Sequence, residues 1–329
     1  MGGDHAPDEI VAGAILAHRR GYGAMLLCGD EARIRPLVPA DVAAAIEIVH
    51  APLAVAMDAN PSQAVRASAG TSLGLAIDLV RDGKADAVVS AGNSGAFLAI
   101  GLVRLRTIAG IQRPAIAVVM PGKRGPVVVL DSGANVDCKP EWLAQFGVMG
   151  SAYASSVLGI ANPKVGVISV GEERVKGNAL SIEAANLLDA MPVNFIGNVE
   201  GRDIFENTAD VFVCDGFVGN VILKVSEGAA SLVGEIVQTE LRGGNPIAKL
   251  GALLAKPSLE RVSERLSYES YGGAPLLGLN GNCIVAHGRA NRNAVASAIR
   301  AAASEVRDDV VGRIGRLVRD TGLRPVRHG

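Results

Sequence analysis

IGNVEGRDIFENTADVFVCDGFVGNVILK, residues 196–224, is the stretch whose reading decides the fold. Two apolar runs, Val193–Ile196 and Val211–Cys214, have the length and composition of buried strands. Each enters a loop of glycine, asparagine and acidic residues, Gly197–Asp203 after the first and Asp215–Asn220 after the second, and a helix is expected from about Asn220 to Leu241. Strand, polar loop and helix in that order form the unit of a parallel sheet that holds ligands at the carboxyl ends of its strands. Glycines there let backbone approach a ligand closely. Two ordinary βα turns would explain the glycines, but they do not require so many carboxylates and amides.

The same unit recurs outward from this stretch. Ala24–Cys28, Ile46–Val49, Ala85–Val89 and Val165–Val170 read as strands, and Ser72–Asp82 and Glu141–Leu158 as helices. Ala115–Met120 and Val127–Leu130 flank the turn Pro121–Gly125, which predicts one antiparallel pair in an otherwise parallel sheet. The alternation predicts a single domain over 1–329, a doubly wound α/β/α sandwich with right-handed crossovers. Tyr271–Gly281 is expected as a loop, with a strand at Cys283–Ala286 after it. Residues 245–267 break the alternation: apolar stripes on either side of Pro257 predict a projecting helical hairpin that turns at that proline. The loop Met1–Pro7 feeds a helix with no strand before it, so the native start is expected upstream of Met1, or the first strand lost.

Composition narrows the function classes. A formal charge of −1 over 329 residues gives no general nucleic-acid footprint, and 3% aromatic residues leave little for base stacking. The four cysteines have no CxxC spacing, which argues against structural zinc and a disulfide framework and fits a reduced, cytosolic setting. No apolar run of the length of a membrane span and no signal-peptide pattern is expected.

The polar loops 1–7, 90–96, 131–139, 171–178 and the two within 196–220 should converge on one crevice. Helix N-termini there would offer free N–H groups to a phosphate or an oxyanion. No GxGxxG after the early strands, no Walker motif and no G-x-S-x-G elbow occurs. Cys214 reads as core rather than as a nucleophile, and His5 and His287 as hydrogen-bonding residues rather than general bases. Asp131, Asp137 and Asp215 lack the tight spacing of a metal site. Lys176 can add a point charge to an anion site, and Asn220 can donate its amide to a developing oxyanion. Their structural alternatives are a solvated lysine paired with Glu172 or Glu173, and a helix N-cap.

Eight stretches in order along the chain carry a resemblance to one family: MGGDHAP (1–7), SAGNSGA (90–96), DSGANVDCKPE (131–141), GEERVKGN (171–178), FIGNVEGRDIF (195–205), DVFVCDGFVGNVILK (210–224), LGALLAKP (250–257) and YGGAPLLGLNG (271–281). The chain resembles the PlsX family of bacterial phosphate acyltransferases. Departures are Ser94, where the family often has threonine, and Ser132, where it usually has a small apolar residue. The resemblance implies a fold related to isopropylmalate dehydrogenases and phosphotransacetylases, a homodimer, and no metal or organic cofactor. It implies transfer of a long acyl group from acyl carrier protein to inorganic phosphate, with the acyl phosphate passed to a membrane glycerol-3-phosphate acyltransferase. On it, phosphate is expected at Gly2, Gly3, Asp4 and His5 and at Gly92, Asn93, Ser94 and Gly95, with Lys176; Asn220 is expected to hydrogen-bond the oxyanion or the phosphate. Asn135, Asp137, Asn198, Glu200 and Asp215 are expected in the pocket. Leu250, Leu253 and Leu254, flanked by Lys249 and Lys256, are expected to contact the inner face of the membrane peripherally, or else the dimer partner. Alternatives are a phosphotransacetylase using acyl-coenzyme A, an isopropylmalate-type dehydrogenase and a non-catalytic membrane-surface scaffold.

Overall fold

The computed structural model describes residues 1–243, 251, 253–259, 261–262 and 272–321. The chain alternates α1 (Asp8–Arg19), β1 (Met25–Gly29), α2 (Glu31–Ile34), β2 (Ile46–His50), α3 (Pro61–Arg66), α4 (Ser72–Arg81), β3 (Ala87–Ser90) and α5 (Ser94–Arg104). Next come β4 (Ala115–Ile116), β5 (Val118–Gly122), β6 (Gly125–Leu130), α6 (Pro140–Val157), β7 (Lys164–Ile168), α7 (Ala179–Asp189), β8 (Asn194–Val199), α8 (Asp203–Glu206), β9 (Val211–Val213) and α9 (Gly216–Gly243). Residues 253–259 are helical (α10). The remainder is β10 (Ala274–Leu277), β11 (Asn282–Val285), α11 (Arg292–Arg307) and α12 (Val310–Asp320).

Helices cover both faces of the sheets, as a doubly wound α/β/α sandwich requires. One sheet has the order β3-β11-β10-β4 and a second the order β5-β6-β9-β7-β8; β1 and β2 form a separate parallel pair. In the first sheet, Val88 and Cys283 pack with Leu73, Ile77, Phe97 and Ile100 of α4 and α5. Ile284 on its other face meets Val295, Ala298 and Ala302 of α11. In the second, Val128, Val165 and Val211 pack under α6, α7 and α12. Val129 and Phe212 face Ile204 of α8 and Ile222 and Leu223 of α9. Side-chain caps fix the helix starts beyond the strands. Asn93 Oδ1 accepts from Ala96 N–H (2.9 Å), Asn178 Oδ1 from Ser181 N–H (2.8 Å) and Asp215 Oδ1 from Val218 N–H (2.8 Å). Such a cap stabilises a helix by about 1 kcal/mol.

β5 and β6 form the expected antiparallel pair. Four other expectations change. β8 extends to Val199, because the pairing with β7 slips past Ile196 in a bulge, so Gly197 and Asn198 are strand residues and not loop. α9 starts at Gly216 rather than near Asn220, since Asp215 and not Asn220 caps it. The expected loop Tyr271–Gly281 contains β10, antiparallel to both β11 and β4; its Pro275 reads locally as a strand breaker, and sheet pairing overrides that preference. Helix runs through Pro257 over 253–259 instead of turning there, and the rest of the expected hairpin, apart from residues 251 and 261–262, lies outside the described residues. By length and composition alone, Gly216–Leu241 of α9 could cross a membrane, which the sequence reading had not expected; scattered charges such as Lys224 and Glu235 interrupt its apolar pattern. Its first turns pack against the sheet through Ile222 and Leu223.

Candidate active site

The loops that leave β3 and β11 meet the amino-terminal segment. Asp4 N–H donates to Gly288 O at 2.7 Å. A Cβ on Gly2 would stand 3.2 Å from Gly92 Cα, and Gly3, at φ +96°, lies between Ala91 and Gly288, so these backbones touch because neither position carries a side chain. Asn93 is consumed by this architecture: besides capping α5, its Nδ2 donates to Met57 O (2.8 Å) and Ala59 O (3.0 Å). What remains for an anion is the exposed Ser94 and the first-turn N–H groups of α5. The Asp4 carboxylate lies 3.9 Å from Arg289 Nε, and His5 is exposed beside it.

A second group of loops gathers at the carboxyl ends of β6, β7, β8 and β9. Buried Asp131 ties it together. Its Oδ1 accepts from Ile116 N–H (2.9 Å) and Ala134 N–H (3.1 Å), and its Oδ2 from Asn135 N–H (2.6 Å) and Asn135 Nδ2 (3.0 Å). Burial pushes this carboxyl up from the ordinary carboxylate range, against the four N–H groups that favour its charged form. Asn135 Nδ2 also donates to Pro114 O (2.9 Å), and Gly216 N–H donates to Asn135 O (2.7 Å). Gly219 approaches Asp131 O so closely that a Cβ would stand 1.9 Å from it. The DSGAN loop and the start of α9 are therefore interlocked, with Asn135 and Asp215 acting within the frame.

Asn220 lies in the second turn of α9, exposed, with Gly133 beside it: a Cβ there would lie 3.8 Å from Asn220 Oδ1. Asn198 holds the Lys176 loop, its Nδ2 donating to Glu173 O (2.8 Å) and Lys176 O (3.2 Å), while Ser169 Oγ donates to Lys176 O (3.0 Å). Glu200 and Glu172 pair with Arg202 at 3.0 and 3.9 Å. Neither Glu172 nor Glu173 pairs with Lys176 among the described residues, so its exposed side chain is not tied down by them. Asp137 is exposed at the far end of the DSGAN loop. Cys214 is buried, which raises its thiol well above the ordinary range and fits its reading as core.

Between the two groups lies a crevice of about 310 Å³ that includes Asn93, Ser94, Ser132, Lys224, Glu227 and His287 in its walls. It brings the 92–94 loop to Ser132, the neighbour of Gly133, but Lys176, Asn135, Asp137, Asn198, Glu200, Asp215 and Asn220 do not line it. They belong to the second group of loops.

A sequence profile described as "Fatty acid synthesis protein" matches residues 1–313. The chain belongs to this family. Among its curated relatives are "Phosphate acyltransferase" of Pelotomaculum thermopropionicum, 48% identical over 307 residues (93% of this chain, 90% of the relative), and that of Desulforudis audaxviator, 47% identical over 320 residues (97% and 95%). Solved structures with a similar fold include the EutD phosphotransacetylase from Staphylococcus aureus, with TM-score 0.60, 17% identity and 91% of each chain covered. A phosphotransacetylase from Streptococcus pyogenes has TM-score 0.61, 17% identity and 92% of each chain covered. As a member of the fatty acid synthesis protein family, the chain is an enzyme of the acyltransferase class.

Sequence reasoning missed two crevice residues of this family member, Lys224 and Glu227, which pair at 2.9 Å on α9. The available signal was their i,i+3 spacing one turn beyond DGFVGN, which reads equally well as an ordinary surface pair. His287 was read only as a hydrogen-bonding residue; its Nδ1 accepts from Arg289 N–H (3.1 Å), which leaves Nε2 for another partner. The frame itself is testable. Asp131→Asn would present an NH₂ to two donors whichever way the amide is turned, and should cost about 2 kcal/mol, read as a lower urea midpoint at unchanged m-value.

Proposed function

We propose that this enzyme transfers a long-chain acyl group from acyl carrier protein to inorganic phosphate, forming an acyl phosphate for phospholipid synthesis. The observation that carries the reading is the crevice at strand carboxyl ends, where the first turn of α5, Ser132 of the DSGAN loop and Leu223, Lys224 and Glu227 of α9 come together. Such a site suits an anion held by backbone N–H groups and cations. Phosphate near neutral pH is already an anionic nucleophile, so no protein nucleophile is required, and the only cysteine in the central stretch is buried. A phosphate oxygen attacks the thioester carbonyl carbon, the C–O bond forms through a tetrahedral oxyanion, the C–S bond breaks, and the thiolate leaves and takes a proton.

The protein's part is to hold phosphate against the carbonyl and to stabilise the oxyanion. We assign phosphate to Gly2–His5 and Gly92–Gly95 with Lys176, and the oxyanion to Asn220. The test supplies acyl-acyl-carrier-protein and acyl-coenzyme A in turn with phosphate and measures acyl phosphate as hydroxamate. Preference for the carrier protein supports the reading; preference for coenzyme A makes the enzyme a phosphotransacetylase, and no product from either donor overturns catalysis altogether. Lys176→Ala should lower kcat/KM at least about tenfold with an unchanged melting curve. Wild-type turnover would return Lys176 to a solvated loop lysine.

The same reading makes the protein a homodimer on the inner face of the membrane, handing acyl phosphate to a membrane glycerol-3-phosphate acyltransferase. In support, α9 has 28 residues, about 42 Å at 1.5 Å per residue, and exposes Leu232, Val233 and Ile236 along it. Leu253 and Leu254 on α10 are 67% and 75% exposed, whereas Leu250 lies outside the described residues. Light scattering should give twice the monomer's 33.7 kDa. Leu253→Glu with Leu254→Glu should abolish sedimentation with anionic liposomes and leave dimer mass and activity on soluble donor unchanged. Collapse of the dimer instead would make these leucines interface core.

A further inference from the structure

The segment before β4 is stitched to the DSGAN loop and to the start of α6 by side chains. Asn135 Nδ2 donates to Pro114 O (2.9 Å) and Trp142 Nε1 to Gln112 Oε1 (2.9 Å). Gln145 Oε1 accepts from Gln112 N–H (2.8 Å), and its Nε2 donates to Gly110 O (3.1 Å). These bonds fix the backbone around Arg113, whose guanidinium carbon stands 5.0 Å from the centre of the Trp142 ring. Lys139 Nζ stands 6.0 Å from the same centre. Both cations are exposed, and among the described residues neither forms an ion pair with a carboxylate. The nearest acidic residues along the chain, Asp137 and Glu141, are exposed and pair with neither. An exposed cation–π contact is a weak attraction, and it gives no reason for two like charges at one indole.

Lys139 is also the N-cap residue of α6, an 18-residue helix; its side chain makes no capping hydrogen bond, and Pro140 follows at the first position. Glu141 N–H, in the first turn, has no partner among the described residues. The positive end of the helix therefore meets two positive side chains, an unfavourable arrangement that a bound anion relieves.

We propose that Arg113, Lys139 and the first turn of α6 hold the phosphate at the far end of the acyl donor's pantetheine arm, with the branched apolar carbons next to that phosphate packed on Trp142. The inference rests on the acyl-transfer reading for the donor's thioester. A guanidinium fork and an ammonium suit the oxygens of a phosphate ester, and a helix N-terminus adds an N–H. The DSGAN loop runs from this cluster back to Gly133, beside Asn220. From Gly133 to Lys139 the chain extends at most about 22 Å, a span that a pantetheine arm covers. The thioester then lies at the oxyanion donor while the phosphate stays at Arg113. Acyl carrier protein and coenzyme A both carry this arm and a phosphate at its end.

Trp142 is the only tryptophan in the chain, so its emission reports occupancy without catalysis. At constant ionic strength, phosphopantetheine should change that emission with saturation, and pantetheine or inorganic phosphate at the same concentration should not. Arg113→Gln with Lys139→Gln should raise the half-saturation about tenfold or more with an unchanged melting curve. No response to phosphopantetheine, an equal response to pantetheine or to phosphate, or a double variant that binds like the parent would overturn the proposal. Kinetics distinguish the two sources. The double variant should raise KM about tenfold for acyl-acyl-carrier-protein where the carrier supplies the phosphate, and for acyl-coenzyme A where coenzyme A does. The kcat/KM advantage of that donor over acyl-pantetheine should shrink by as much. An undiminished advantage would overturn the proposal, as would a KM increase confined to inorganic phosphate. Failure of the acyl-transfer reading looks different: no acyl phosphate from any donor, with phosphopantetheine binding present in the parent and weakened in the double variant, ends that reading and supports the site.

Discussion

Replacing Asn220 with aspartate should lower turnover about 100- to 1000-fold while leaving the fold intact, the range seen when an oxyanion donor is lost. The fold should survive because Asn220 is exposed in the second turn of α9, and the cap that starts the helix is Asp215. The interlock of α9 with the DSGAN loop runs through Gly216 N–H and Gly219, not through Asn220. Aspartate keeps the size of the side chain, removes its only donor and brings a negative charge toward the bound phosphate. Asn220→Ala removes the donor without adding the charge, so it should fall between aspartate and wild type. Steady-state kcat with the acyl donor, together with a urea titration, separates loss of chemistry from loss of fold. An aspartate variant as active as the parent would end the oxyanion assignment.

The largest effect on stability is expected at Glu305. This residue of α11 is 2% exposed, and its Oε1 has no hydrogen-bond partner among the described residues. Burial alone pushes its carboxyl up to about 8. Tyr153 and Cys283 lie near enough for its charge to raise their own values. In the unfolded chain the same group titrates in the ordinary range near 4.5. The folded state therefore holds the extra proton between these two values, and stability falls as pH rises from about 4.5 to about 8, then levels off. Glu305→Gln keeps the shape and cannot ionise. It should match the parent near pH 4.5 and exceed it above pH 8 by on the order of 4 kcal/mol. Urea midpoints at pH 5 and 8.5 test this, and parallel pH profiles for the two proteins would mean that Glu305 is charged in the folded state.

Local patterns carried most of the fold. Val165–Val170, Val211–Cys214 and Val127–Leu130 were legible as strands because a strand covered on both faces must be a short apolar run, and such runs stand out between polar loops, although β7 stops at Ile168 and leaves Val170 exposed. The glycine-rich loops were legible for a similar reason. Gly219 is there because only a residue without a Cβ lets α9 reach Asp131 O, and that requirement is written in the residue itself. β10 was not legible. Pro275 and its flanking glycines speak for a loop, and pairing to β4 and β11 on both sides outweighs that local preference.

The candidate site divides along the same line. Residue types announced an anion crevice at strand carboxyl ends, because glycine, asparagine and helix N-termini carry their chemistry wherever they stand. Which amides are free is a matter of neighbours far along the chain. Asn93 is consumed by carbonyls at Met57 and Ala59, Asn135 by Pro114 and Asp131, and Asn198 by the Lys176 loop, whereas Asn220 sits exposed beside Gly133. Lys224 and Glu227 became crevice residues only when α9 was laid against the sheet through Ile222 and Leu223. Sequence alone determined the α/β alternation, the loops at the strand ends and the kind of ligand they suit, since these depend on local backbone preference and residue chemistry. Only the tertiary structure decided which of those polar groups are already bonded within the protein and which are left to bind, because a hydrogen bond between distant residues leaves no mark in the spacing of either.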